Sequence, residues 1–359
     1  MRPISNPPNP WARVHVERDH PSAWDPEWVG EPPSDPLQVY EEEARSLIVE
    51  NDSPDVGFRF GVNPYRGCQH ACAYCYARPS HQHLGFGAGT DFERRIVVKV
   101  NAPEVLRKEL ARPSWQGDEL AFSGNTDCYQ PLEASYGLTR RCLEACRDAR
   151  NPVGIITKGV LVQRDVALLA ELHARAGVRV HVSVPFADPV VSRALEPGPA
   201  SPDRRFAAMK ALADAGIPVG LSLAPVIPGL NDADLPELLE RARDAGARSA
   251  FLTLLRLPAE VLPVFFERLE AALPTRVGKV RSQLVDVRGG ALNDARFGHR
   301  MEGAGPRWKA IVDLFTLHAR RLGLETGEPP AGRSPFRRPA TGPRVPRDVA
   351  AGQGLLFDA

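Results

Sequence analysis

No apolar run in these 359 residues approaches the ~18 positions that a membrane-spanning helix needs. Charge of one sign is not in excess either. Lys plus Arg is 45 against 44 for Asp plus Glu, a formal net charge of +1, so bulk charge does not hold the chain to nucleic acid or to a membrane surface. A local basic groove stays compatible with that balance. Aromatic residues are sparse at 7%, and basic and aromatic side chains nowhere alternate as in a stacking platform for single strands. The opening stretch Met1–Pro10 lacks the apolar segment of a secretory leader. These absences point to a cytoplasmic chain with no membrane partner.

Proline is what the chain has in abundance, with 35 residues, close to twice the usual share of about 5%. It crowds the first forty residues and again the stretch from Pro329 to Pro346. Both ends read as extended or disordered tails. The expected organisation is a Pro-rich extension over residues 1–54, a core over 55–325 that ends in a helix, and a basic Pro-rich tail over 326–359. Within that tail five arginines stand against two aspartates from Ala331 onward, a composition compatible with a phosphate-contacting arm. It ends in Gln353-Gly354-Leu355-Leu356-Phe357. That peptide resembles those by which bacterial repair and replication proteins dock on the sliding clamp, with Gln353, Leu356 and Phe357 as the contacts.

Between the tails, short apolar runs alternate with amphipathic stretches. Residues 119–123, 153–157, 178–184, 219–224 and 249–255 read as buried strands bounded by Gly, Pro or Asn. Residues 164–175, 204–215 and 235–245 carry helical spacing, and each is followed by a glycine stop at Gly177, Gly216 or Gly246. This α/β grammar implies right-handed parallel crossovers. It suits an open doubly wound sheet or a complete or partial barrel. In either, chemistry belongs at the C-terminal ends of the strands.

Six cysteines occur, three of them within eight residues: Cys68, Cys72 and Cys75. A disulfide framework does not suit a cytosolic chain of this length. Crowded thiols suggest a metal instead. One reading is structural zinc completed by His70, His81 or His83. The other is a four-iron cluster, which needs one thiolate per iron and so would keep one iron open on three cysteines. Cys142 and Cys146 lie on an expected helix too far along the chain to supply a second pair.

The Cys-x3-Cys-x2-Cys spacing, with aromatic Tyr74 just before the third cysteine, resembles the radical S-adenosylmethionine (SAM) superfamily. The context Asn63-Pro64-Tyr65-Arg66-Gly67-Cys68, the stretch Asn125–Glu133 and Arg288-Gly289-Gly290 look like the branch related to spore photoproduct lyase, whose members are labelled DNA repair photolyases by analogy. The resemblance implies a partial (β/α)6 TIM-like barrel and a single [4Fe–4S] cluster on Cys68, Cys72 and Cys75, with S-adenosylmethionine on the open iron. It implies a reduced cluster that cleaves the sulfonium to a 5′-deoxyadenosyl radical, fed by an external electron donor of flavodoxin or ferredoxin type. Tyr74 is expected beside the cluster, and the turn Ser123, Gly124, Asn125, Thr126 and Asp127 at the methionine amino group. Ser183 and Glu196 are candidates for the ribose, and Val226 for the adenine face. Cys128 is the candidate for returning a hydrogen atom, with Tyr129 beside it. The implied substrate is damaged or modified DNA. The alternatives are RNA, a peptide or a small metabolite modified by the same radical, or a zinc-stabilised clamp adaptor without catalysis.

Overall fold

The computed structural model describes residues 36–327 and 334–339, together with the backbone of strand β1, Arg13–Glu17. The expected runs form strands and pair in chain order. Those strands are β7 (Leu120–Phe122), β8 (Val153–Thr157), β9 (Val178–Ser183), β10 (Val219–Val226) and β11 (Ser249–Leu254). Each neighbour is parallel to the last. The sequence reading missed the sixth member, β4 (Phe60–Val62), which lies parallel to β7. It is three residues long with a glycine at its centre, too short to show a period. A short strand β3 (Ile48–Glu50) runs antiparallel on its outer side. The order β11-β10-β9-β8-β7-β4-β3 leaves no ladder between the outer strands among the described residues. The architecture is thus a partial barrel of six parallel strands.

Alternation along these strands divides two environments. Val178, Val180 and Val182 on β9, and Val219, Leu221 and Leu223 on β10, face the helices and share their core with Leu169, Leu172, Met209 and Leu212. The register places Gly61, Ala121, Gly154 and Arg179 in one row on the other face, with Ile156, His181, Gly220 and Ser249 in the next. Small residues there leave room inside the barrel. Arg179 reaches Glu119 at 2.8 Å, and His181 Nε2 sits 3.3 Å from Ser249 Oγ. The expected helices appear as Val166–Ala176, Pro202–Asp214 and Leu235–Asp244. Helices Val261–Ala272, Pro274–Val287 and Gly305–Arg321 follow the last strand.

Parts of both expected tails are ordered among the described residues. The N-terminal extension holds β1, β2 (Leu37–Glu42) and β3. Strands β1 and β2 join β5 (Tyr65–Arg66) and β6 (Arg95–Lys99) in a second sheet ordered β1-β2-β6-β5. Leu37 and Val39 bury against Tyr65, Ile96 and Val98, apolar area that proline density hid from the reading. In the C-terminal tail, residues 334–339 dock on the barrel. Ser334 Oγ donates to Gly117 O at 2.5 Å, Arg337 N to Ala149 O at 2.8 Å, and Arg338 Nη2 to Pro113 O and Trp115 O at 3.0 Å. Arg338 is therefore engaged with carbonyls. The clamp-like residues Gln353, Leu356 and Phe357 lie outside the described residues.

Candidate active site

The chain leaves β4 through Asn63 and enters the cysteine loop by way of β5. Gly67, just before the first cysteine, has φ +80°, and a Cβ there would lie 2.9 Å from Phe92 O, Ile96 and His81. Only glycine fits that approach. Cys68 N donates to Phe92 O at 2.8 Å, and Ala73 N to Leu195 O at 2.8 Å. Gly198 packs so closely that a Cβ would meet Gln69 O at 2.3 Å. The strongest staple is Arg78, which is fully buried. Its guanidinium donates to the carbonyls of Cys72 (2.8 and 3.0 Å), Ala71 (3.2 Å), Ala88 and Gly89 (3.0 Å each), and pairs with Glu93. Arg268 reaches the same Ala71 carbonyl and the same glutamate.

Burial raises all three thiols: Cys68 and Cys75 are pushed up, and Cys72 reaches about 12 although Lys158 pulls it down. They lie within electrostatic reach of one another. A buried thiol ionises readily only when a metal takes the place of its proton. Among the described residues, no three His, Cys, Asp or Glu side chains converge as a single ion would require; zinc needs sulfurs at about 2.3 Å from one centre. Two of the histidines weighed for zinc each hold another partner through one ring nitrogen. His70 Nδ1 lies 3.1 Å from Asp127, and His81 Nε2 lies 2.8 Å from Arg95 O. Three soft donors within eight residues of one stapled loop suit the corners of a cluster.

The turn after β7 is brought against this loop. Asn63 Oδ1 accepts from Asn125 N (3.1 Å) and Thr126 N (3.3 Å), and Tyr76 O–H donates to Gly124 O at 2.6 Å. Ser123 takes φ +76°, and its Oγ accepts from Cys128 N at 2.9 Å. The amide pair Gln69 and Gln130 crosses between the segments: Gln69 N donates to Gln130 Oε1 at 3.0 Å, and Leu132 N to Gln69 Oε1 at 2.8 Å. Asp127 is not available as an acceptor for an ammonium. It takes Thr157 Oγ1 (2.6 Å), Lys158 N (2.8 Å) and Tyr129 N (2.9 Å) as well as His70. Burial alone would raise this carboxyl, but His70 and these hydrogen bonds hold it at about 2. Thr126 is different: its Oγ1 is buried with no hydrogen-bond partner. An orphaned oxygen there fits a polar group that completes the site from outside the chain.

Behind Tyr74 lies a buried ion pair. Tyr74 O–H donates to Glu196, whose carboxylate also meets Arg205 Nη1 at 2.6 Å and Lys158 Nζ at 3.8 Å. Burial would raise Glu196, and Arg205 and Lys158 lower it. This corrects the ribose expectation for Glu196, since its oxygens already have partners. Ser183 Oγ donates to Ala224 O at 3.4 Å, the ordinary backbone bond of a buried serine. Val226 packs in the sheet–helix core. Cys128 and Tyr129 are each 1% exposed in the same core, with Tyr129 O–H on Asp165 at 3.2 Å, so neither reaches the barrel mouth. Arg288 ties the loop after helix Pro274–Val287 to the end of β11 through the carbonyls of Leu255, His299, Arg300 and Glu302.

Sequence reasoning missed three members of this site. Asn63 shapes the turn, Tyr76 spans it, and Lys158 brings a cation over the Tyr74 ring at 5.6 Å, near Cys72 and Glu196. Lys158 was noticeable only as a charge ending a strand; the hydrogen bonds of the other two join segments about sixty and fifty residues apart.

Comparison with known proteins agrees with this geometry. The family model described as the radical SAM superfamily matches residues 62–242. An uncharacterised protein of Mycobacterium tuberculosis (strain ATCC 25618 / H37Rv) is 41% identical over 226 residues, which are 62% of this chain and 66% of that relative. One from Methanocaldococcus jannaschii is 30% identical over 178 residues, 50% of this chain and 64% of the relative. The alignments thus span just under two thirds of these relatives. Among solved structures, spore photoproduct lyase complexed with dinucleoside spore photoproduct has a similar fold, with TM-score 0.57, 17% identity, and coverage of 80% of this chain and 81% of that one. With the loop, the turn and the six-stranded barrel in place, the chain belongs to the radical SAM superfamily, whose members are enzymes that use a [4Fe–4S] cluster and S-adenosylmethionine.

Proposed function

We propose that Cys68, Cys72 and Cys75 hold a single [4Fe–4S] cluster and that the enzyme acts on damaged or modified DNA in a lyase-like reaction. The observation that carries the cluster assignment is the stapled loop of two buried thiols and one half-buried one, beside a turn whose Thr126 Oγ1 lacks a partner. When bound, cluster and S-adenosylmethionine supply a one-electron reductive cleavage whose product removes a hydrogen atom from substrate. The chain's own residues position these groups. Thr126 Oγ1 would be the acceptor for the methionine ammonium and Lys158 the cation for its carboxylate, while Tyr74, its hydroxyl tied to Glu196, would help seat the cluster. Arg78 keeps the loop carbonyls in place. An external donor of flavodoxin or ferredoxin type supplies the electron.

The DNA reading draws support from the fold likeness to a lyase bound to a dinucleoside lesion and from a barrel left open between its outer strands. Hydrogen return needs a donor other than the remaining cysteines, because Cys128, Cys142 and Cys146 all lie in the sheet–helix core. The experiment is product analysis. Anaerobically reconstituted protein is expected to be brown and to release 5′-deoxyadenosine with dithionite. With deuterated DNA carrying a thymine lesion, deuterium should enter that product. Label arriving only from RNA, a peptide or a small metabolite would reject the DNA reading, and colourless protein with bound zinc would reject the enzyme.

A further inference from the structure

The far side of the barrel mouth carries groups that neither the cysteine loop nor the turn uses. The space between the outer strands is bridged by side chains. Asp55, in the loop before β4, accepts from Gly298 N at 2.5 Å and from the Arg300 guanidinium, while Ser53 Oγ lies 2.5 Å from Arg300 Nη2. Arg300 also covers the Phe297 ring, 4.3 Å from its centroid. Two residues beyond β11 stands Arg256, within electrostatic reach of Arg300, Asp55 and Tyr76.

Arg256 has no such latch. Asp55 is already bonded to Arg300 and Gly298, and Arg256 makes no hydrogen bond or ion pair among the described residues. Its Nε is buried without an acceptor. The nearby carboxylate is therefore taken by Arg300, and the planar fork of the Arg256 guanidinium stays unpaired. A fork of this kind matches a phosphate or carboxylate. What selects between these is the surroundings: Tyr76, within electrostatic reach of Arg256, is 48% exposed, and Phe297, packed against Arg300, is 58% exposed. An oxyanion next to a stackable ring describes a nucleotide unit.

We propose that Arg256 binds a backbone phosphate of a nucleic-acid substrate at the barrel mouth, with Phe297 stacking on an adjacent base. This rests on the DNA reading above, and binding is measured apart from chemistry so that the two fail separately. The probe is a fluorescent single-stranded 12-nucleotide oligothymidylate, titrated by anisotropy into the full-length, cluster-loaded protein at several salt concentrations. Arg256→Gln is expected to weaken binding about tenfold and to lower the log–log salt slope by about one. Arg256→Lys keeps the charge and should keep the slope while losing affinity. Phe297→Ala should weaken binding about tenfold with the slope unchanged. Iron content and circular dichroism establish that each variant is folded. The inference is overturned if Arg256→Gln binds like the parent with the same slope. It is equally overturned if an acidic peptide, and not the oligonucleotide, depends on Arg256. If the parent releases 5′-deoxyadenosine yet binds no oligonucleotide, this site falls while the radical chemistry stands.

Discussion

The two sides of the barrel mouth are built on opposite terms. On the cysteine side, the buried charged groups are multiply bonded, Thr126 Oγ1 being left without a partner: Arg78 serves four carbonyls and Glu93, and Asp127 takes two side chains and two backbone N–H groups. On the far side, the Asp55 carboxylate is taken by Arg300, Phe297 stands exposed, and Arg256 Nε has no acceptor. A cofactor shared across a superfamily needs an over-determined seat, because misplacing reacting groups by an ångström forfeits rate. A substrate surface needs groups that are unsatisfied until the substrate arrives. The comparison teaches where this enzyme holds what is common and where it holds what is its own.

The largest effect should come from the cysteine side. Replacing Cys68, Cys72 or Cys75 singly with Ser is expected to abolish brown colour and 5′-deoxyadenosine release, read by iron assay and chromatography. Replacing Cys128 should leave iron content intact, since that thiol is core packing. If Cys128→Ala lost the cluster and Cys75→Ser kept it, the assignment would be wrong. Next is Arg78→Met. Removing a fully buried cation strands four carbonyls and weakens the compensation of Glu93, a change of about 3 kcal/mol by comparison with other broken buried pairs. Thermal unfolding should shift down markedly and cluster loading should fall with it. Arg268→Met, on a partly exposed side chain sharing the same glutamate, should cost less; equal losses would show that the buried staple is not what holds the loop.

Legibility in the sequence followed the same division. Five barrel strands and their helices were readable because each is a β-branched or apolar run with a glycine stop, as at Gly177, where φ is +91°. The thiols were readable from spacing alone. What the sequence hid was made by distance along the chain. The hydrogen bond from Asn125 N to Asn63 joins residues 62 apart, and the ion pair of Asp55 with Arg300 joins residues 245 apart. Glu196, which follows the helix Pro189–Leu195, and Val226, at the end of β10, take their direction from packing, one as a carboxylate beside Arg205 and the other as a valine after a register shift. Strand β2 escaped because proline density was read as tail while Leu37 and Val39 were burying themselves.

A smaller effect belongs to the barrel interior between the two sides. Burial, with Arg179 nearby, lowers His181 to about 4. The unfolded chain binds that proton first, near pH 6.5, so stability is full above pH 6.5 and declines as pH falls toward 4. Over that window about 3 kcal/mol is at stake. Denaturant unfolding at pH 7 and pH 5 should show the decline in the parent and a flatter profile in His181→Gln. Identical profiles would mean that the interior is wet enough to solvate the imidazolium.

The smallest expected effect tests whether the far side is held by its latch. In Asp55→Asn the hydrogen bond to Gly298 N can survive, but the ionic partner of Arg300 is lost. The latch joins two loops and no strands, so the sheet ladders should keep their amide protection and the global transition should barely move. Faster hydrogen exchange is expected in residues 51–58 and 294–302 alone. Exchange that spread into β4 and β11 would show the latch to be part of the barrel's cooperative unit, and the mouth would then be as tightly determined on this side as on the other. Confined exchange would instead mark the far side as the part of the mouth free to adjust around a substrate, which is the property the unpaired Arg256 requires of its surroundings.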